Sequence, residues 1–230
     1  MSFFDDPDDG ALPSILLVLT MLTGVIDAVS ILRLGRVFVA NMTGNVVFVG
    51  FAAAGAPGFV LSASLFALGG FLVGAASGGR LASRHGADRA VLTRTAALVE
   101  GGLVGVGLVV AVVAGPRLSE PAIDAVAALS ALAMGTQNAV VRRLGVADLT
   151  TTVLTMTLTG IAADSGTASG RSTRRRILAV VTMLGGAVSG AELVLHEGVV
   201  AGLSLAEALL VVAAAMAVAA VRRPGAWRGH

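Results

Sequence analysis

"VFVANMTGNVVFVG", Val37 to Gly50, decides how often this chain crosses a membrane. By hydropathy it is a spanning helix. By chemistry it is not, because Asn41, Thr43, Gly44 and Asn45 put three hydrogen-bonding side chains and a glycine within one short stretch. In hydrocarbon every backbone amide and carbonyl needs a partner, so irregular backbone survives only inside protein or beside water. Gly44 weakens a helix by roughly 1 kcal/mol relative to alanine and tolerates positive φ. The stretch is therefore read as a helix break carrying ligands, whose freed amides suit an anion or carboxylate. The competing reading is plain packing, with Asn and Thr bonding neighbouring helices and Gly allowing close approach.

The surroundings are those of a multi-span membrane protein. Of 230 residues 56% are hydrophobic and 13% charged, with mean hydropathy +0.90, against roughly 25% charged in soluble domains. All 16 basic residues are arginine, so the high pI reflects guanidinium groups in short loops, and no nucleic-acid partner is expected. The chain has no cysteine, and His85, His196 and His230 are scattered, so neither a metal centre nor a cofactor is expected. The opening "MSFFDDPDDG" is acidic and is not expected to be a targeting peptide.

Eight apolar segments fall near 12–33, 37–55, 58–79, 90–114, 121–141, 149–165, 176–195 and 198–222, all read as helices. They form one membrane domain of two repeats, about 12–114 and 121–222. "GVIDAV" at 24–29 matches "GTQNAV" at 135–140, an offset of 111. Thr43-Gly44 and "LGGFLVG" at 68–74 match Thr159-Gly160 and "LGGAVSG" at 184–190, an offset of 116. The change of offset implies about five extra residues between Gly145 and Thr159.

Arginine placement votes on topology. Eight crossings divide the arginines eight to eight. If the second and sixth segments dip and return, six cross, and only Arg33, Arg36 and Arg117 lie outside, thirteen against three. Seven crossings score fifteen to one but treat the repeats differently. The six-crossing form is preferred: three crossings per half make the repeats inverted, a common transporter plan.

Asp27 lies inside the first apolar segment, where a carboxylate costs about 2.5–3.5 kcal/mol on insertion scales and marks function by default. Its repeat partner is Asn138, beside Gln137. The bland alternative is an interfacial pair between Asp27 and Arg33 or Arg36. Glu100 is a second deep carboxylate. Gly70, Gly74 and Gly78, with Gly186 and Gly190, mark close helix packing within the chain or across a homodimer.

"GVIDAVSILRLGRVFVANMTGNVVFVG" and "AMGTQNAVVRRLGVADLTTTVLTMTLTG" carry a resemblance. The chain resembles the YoaK family of bacterial membrane proteins, the domain of unknown function 1275. The resemblance implies about six spans in the bacterial cytoplasmic membrane and contributes no catalytic residues.

The function expected is a small secondary transporter or permease, not an enzyme, with the lipid bilayer and a small polar or anionic solute as partners. Asn41, Thr43, Gly44, Asn45, Gln137, Asn138, Thr159 and Gly160 would bind the solute at the midplane, and Asp27 with Glu100 would carry a coupling proton. The alternative is a non-transporting assembly or regulatory subunit whose polar residues only pack helices.

Overall fold

A computed structural model describes residues 6, 8–59, 61–164, 169–222 and 225–229; His230 and residues 1–5 and 7 of the acidic opening lie outside them. The described residues form eight α-helices and no strand: α1 Leu12–Arg33, α2 Met42–Ala53, α3 Leu61–His85, α4 Arg89–Ala114, α5 Glu120–Leu144, α6 Leu154–Ala163, α7 Gly170–His196 and α8 Val199–Val221. A bilayer core needs about 20 helical residues. Six helices reach that length, while α2 and α6, at about 18 and 15 Å, do not. Five of the long helices are apolar enough to span on composition alone. The sixth, α5, holds Gln137 and Asn138 and is shielded by α3 and α4 on its flanks.

Each first helix packs on the opposite half. α5 lies against α3 and α4, and α1 lies against α7 and α8. Glycine sets these contacts. A Cβ on Gly70 or Gly78 would come within 2.7 Å of the Ala128 or Thr136 carbonyl oxygen, and one on Gly74 would strike Leu132. In the other half Gly186 lies on Met21 and Gly190 on Val25. The glycine faces read as possible dimer surfaces are thus consumed inside the chain.

These contacts correct the repeat register. Gly74 on Leu132 corresponds to Gly186 on Met21, and Gly78 on Thr136 to Gly190 on Val25, so the third helices match at an offset of 112. The starts of α2 and α6 also differ by 112. The sequence offset of 116 is one helical turn too long, and no five-residue insertion separates the halves. The motif slid because glycines four apart look the same after a shift of one turn.

Helix directions follow from the same pairs. α3 and α5 run parallel, as do α1 and α7. The end of α1 meets the start of α3, with Gly35 against Ala63. The end of α5 meets the start of α7, where Arg175 Nη1 donates to the Ala147 carbonyl at 3.4 Å and Ser172 Oγ bonds Asp148 at 2.6 Å. The chain therefore returns, after each short helix, to the face it left. A seven-crossing path would need α1 and α7 antiparallel, and they are not. Large side chains such as Leu72, Val109, Leu184 and Val211 stand exposed on the outer helix faces, the apolar coat a membrane protein presents to lipid.

Candidate functional site

Segments 37–55 and 149–165 are not helical from their starts. Residues 34–41 run back alongside α1 as non-helical chain, through bends and positive φ at Gly35 and Arg36, and become extended at Asn41 before α2 begins. Residues 145–153 do the same before α6, with positive φ at Gly145, Asp148 and Thr151. Asn41 and Val153, the residues preceding the two helices, share nearly the same backbone, φ −122 ψ 96 and φ −112 ψ 92, and neither side chain caps its helix. Each extended leg is held by the polar residue the sequence singled out. Asp27 sits beside the backbone amides of Val39 and Ala40. Asn138, its counterpart, accepts from Thr152 Oγ1 at 2.6 Å and donates to the Met134 carbonyl at 3.0 Å. The interfacial alternative for Asp27 fails: Arg33 bonds the Val194 carbonyl, and no ion pair joins Asp27 to an arginine among the described residues.

Between α1 and α5 a second polar layer lies behind these two. Gln137 Nε2 donates to Thr23 Oγ1 and Thr151 Oγ1, both at 3.1 Å. All three residues are buried, and Thr151 holds φ +60, a left-handed backbone that β-branched residues rarely adopt. Thr23 and Asp27, four apart on α1, share a helix face. The result is a row of polar residues in which Asn138 bonds Thr152, their chain neighbours Gln137 and Thr151 bond each other and Thr23, and Asp27 lies one turn beyond Thr23. It holds two buried atoms with no hydrogen-bond partner, Gln137 Oε1 and Asp27 Oδ1. Such atoms are uncommon in native proteins and call for a cause.

Glu100 is buried with Oε2 also unpartnered. It has company the sequence reading missed: Glu207, on α8, lies over Gly101 and Gly105 of α4 and carries its own unpartnered Oε2. Glu207 was legible in principle, since it stands well inside the segment 198–222 rather than at its edge.

The residues of the opening stretch do different work from that expected. Gly44 does not break a helix; it sits in the first turn of α2, where a Cβ would come within 2.6 Å of the Phe38 ring. Asn45 is fully buried, accepts from the Phe38 amide at 2.9 Å, and donates to the Phe38 carbonyl and to Met42 Sδ. It fastens the extended leg to the helix that follows. Asn41 and Thr43 are exposed. In the second half Thr159 and Gly160 lie late in α6, not at the position matching Thr43 and Gly44. Thr159 is exposed, and Gly160 makes room for the Arg176 guanidinium, which pairs with Asp148 and Asp164, both at 2.7 Å.

One face carries a dense ionic cluster. Arg89 bonds Asp9 at 2.9 Å and the Leu144 carbonyl at 2.8 Å, and Arg175 bonds Asp6 at 2.9 Å and Asp9 at 3.0 Å. Both guanidinium groups are buried. Burial acts to raise the Asp6 carboxyl, but the Asp8 amide, Arg175, the Asp9 amide and Arg171 outweigh it and hold it below its ordinary value. The acidic start of the chain, at Asp6 and Asp9, is thereby tied to α4, α5 and α7. On the same face a cleft of about 800 Å³ opens between α3, α5 and the leg 145–153. Asn138 and Thr152 line it with Thr150 and Arg142, as do Phe71 of α3 and Leu149 of the leg.

Five long apolar helices, packed with α5 around buried polar side chains, define a multi-pass membrane protein. Residues 15–221 match the family described as "Protein of unknown function (DUF1275)", and the chain belongs to that family. It is 31% identical over 153 residues to the UPF0700 transmembrane protein YoaK of Bacillus subtilis (strain 168), a match covering 66% of each chain. No solved structure matches it.

Proposed function

We propose that the chain is a small secondary transporter of the bacterial cytoplasmic membrane, moving a small polar or anionic solute between two inverted repeats. The observation that supports it most is the pair of re-entrant legs. Each brings an uncapped helix start to the depth of Asp27 or Asn138, and a row of polar residues with unpartnered atoms lies between those two levels. Helix starts directed into a membrane carry positive potential toward an anionic group, and irregular backbone at that depth lines a cavity or protein. By the arginine balance the ionic face is cytoplasmic. Asp27, with Glu100 and Glu207, supplies the carboxylates for a coupling proton. No enzymatic step is assigned to the chain.

The test is uptake into proteoliposomes of a panel of labelled monocarboxylates, phosphate and neutral amino acids, with and without an inward proton gradient. At least one solute is expected to enter faster than into protein-free vesicles, and Asp27→Asn is expected to abolish the gradient dependence while leaving the protein folded. Unchanged gradient dependence in that variant would remove Asp27 from coupling. No uptake of any solute by folded protein would favour the assembly-subunit reading, which the internally bonded Asn45 already suits.

A further inference from the structure

The cleft beside α5 has a chemistry of its own. Its walls are largely apolar, with Phe71 and Ala75 on α3 and Val146, Leu149 and Val153 of the re-entrant leg. The polar lining is sparse: Asn138, Thr150, Thr152 and one charge, Arg142. Among the described residues no carboxylate lines it. Among the described residues Arg142, which is exposed, has no ion pair or hydrogen bond, while Arg89, Arg175, Arg176 and Arg228 on the same face are engaged and Arg143, next to it, does not line the cleft. Asp148, the nearest acid along the leg, is already taken by Ser172 and Arg176. A volume of about 800 Å³ is within the usual range for organic ligands, roughly 300–1,000 Å³.

We infer that this cleft binds an amphiphile with one anionic group, its charge on Arg142 and its apolar body between Phe71 and Leu149. The inference rests on the cleft as the inner mouth of the pathway proposed above, and it narrows the solute class. Phosphate or a dicarboxylate would find one cation for two charges and an apolar wall it could not wet. A neutral apolar molecule would leave Arg142 without a role. The floor is set: Asn138 and Thr152 satisfy each other, so the ligand need not desolvate them to settle. The same headgroup chemistry is offered by a free carboxylic acid and by an anionic lipid.

Because the chain contains no cysteine, one introduced thiol reports on the cleft. Gly79 lines it, is exposed, and has open space where a Cβ would project. Gly79→Cys protein in phosphatidylcholine nanodiscs would be labelled with a maleimide in the presence of 4-phenylbutyrate, 4-phenylbutanamide or acetate. Ser83→Cys, on the same face outside the cleft, serves as the reference.

4-Phenylbutyrate is expected to slow labelling at Gly79→Cys and not at Ser83→Cys, with the amide and acetate inactive at the same concentration. Arg142→Gln should raise the half-protecting concentration by roughly tenfold or more, the usual cost of losing a charged hydrogen bond. Phosphatidylglycerol nanodiscs that protect Gly79→Cys without added acid, in an Arg142-dependent way, would name lipid as the source and support the inference. Equal protection by the amide, protection untouched by Arg142→Gln, or none in either arm would overturn it. Binding is read at equilibrium. Arg142-dependent protection without any uptake would sink transport alone, and uptake without such protection would sink this inference alone.

Discussion

The two halves are built on one packing plan and finished with different chemistry. In each, the first helix lies on the third and fourth helices of the other half, and an extended leg runs back to a polar residue on the first helix. What differs is the holder. Asp27 faces the Val39 and Ala40 amides of its leg, whereas Asn138 holds its own through the Thr152 hydroxyl. The faces differ more. Where the end of α1 meets α3, Gly35 touches Ala63; at the positions 112 residues on, the Ala147 carbonyl meets Arg175, which also binds two aspartates. A shared frame thus carries one apolar seam and one ionic one.

The largest expected effect tests the shared frame. Gly74→Leu and Gly186→Leu should each drive a side chain into the backbone of the facing helix, at Leu132 and Met21. Overpacking alone costs about 1–3 kcal/mol, and a collision with backbone leaves little room to relax, so most folded protein should be lost. Gly69→Leu and Gly185→Leu, on the same two helices, enter open space and should be tolerated. Size-exclusion profiles of the four variants in mild detergent decide it. If Gly186→Leu survives while Gly74→Leu does not, the equivalence at 112 residues is broken.

Next comes the ionic seam. Arg175→Gln would leave Asp6 with the more distant Arg171 and Asp9 with Arg89 alone, and removing one partner of a buried pair costs on the order of 3–5 kcal/mol. Asp6 and Asp9 keep slight exposure, so the lower end of that range is expected. Ala63→Ser, at the equivalent place on the apolar seam, should shift the thermal midpoint far less. Thermal unfolding of both in detergent sharpens the comparison. A smaller loss for Arg175→Gln than for Ala63→Ser would show that the ionic seam does not hold the face together.

What the sequence disclosed follows from the range of each interaction. Segment lengths and arginine placement are local features, and they carried the eight segments and the two that return. Asp27 and Asn138 were legible because a carboxylate or amide inside an apolar run is costly wherever the chain goes. The role of Asn45 was not, because its bonds to Phe38 depend on an extended leg that apolar composition disguises as helix. The ionic seam was hidden for another reason: Arg175 and Asp6 are 169 positions apart, and an acidic start gives no sign of which arginine it will meet. The register was misread because glycines at every fourth position align equally well after a one-turn slide. Only contact with a specific carbonyl fixes the turn.

The smallest expected effect separates the two fourth helices. α4 begins at Asp88, whose carboxylate accepts from the Ala90 and Val91 amides at 3.0 and 3.1 Å and pairs with Arg228. α8 begins at Gly198, with φ +91 and no side-chain cap. Arg228 and the two amides hold the Asp88 carboxyl below its ordinary value of 3.8, against the opposing effect of burial. A carboxyl with a lowered folded pKa stabilises fully above its ordinary value, and the contribution fades as pH falls through the folded one. Loss of such a cap costs about 1 kcal/mol, and a pair this exposed adds between about 0 and 1. Asp88→Ala should therefore be slightly less stable than the parent from neutral pH down to near 4, with the gap closing in stronger acid. Thermal midpoints across that pH range measure it. A gap of constant size into strong acid would show that the carboxylate charge contributes nothing, leaving α4 and α8 to start equally well without it.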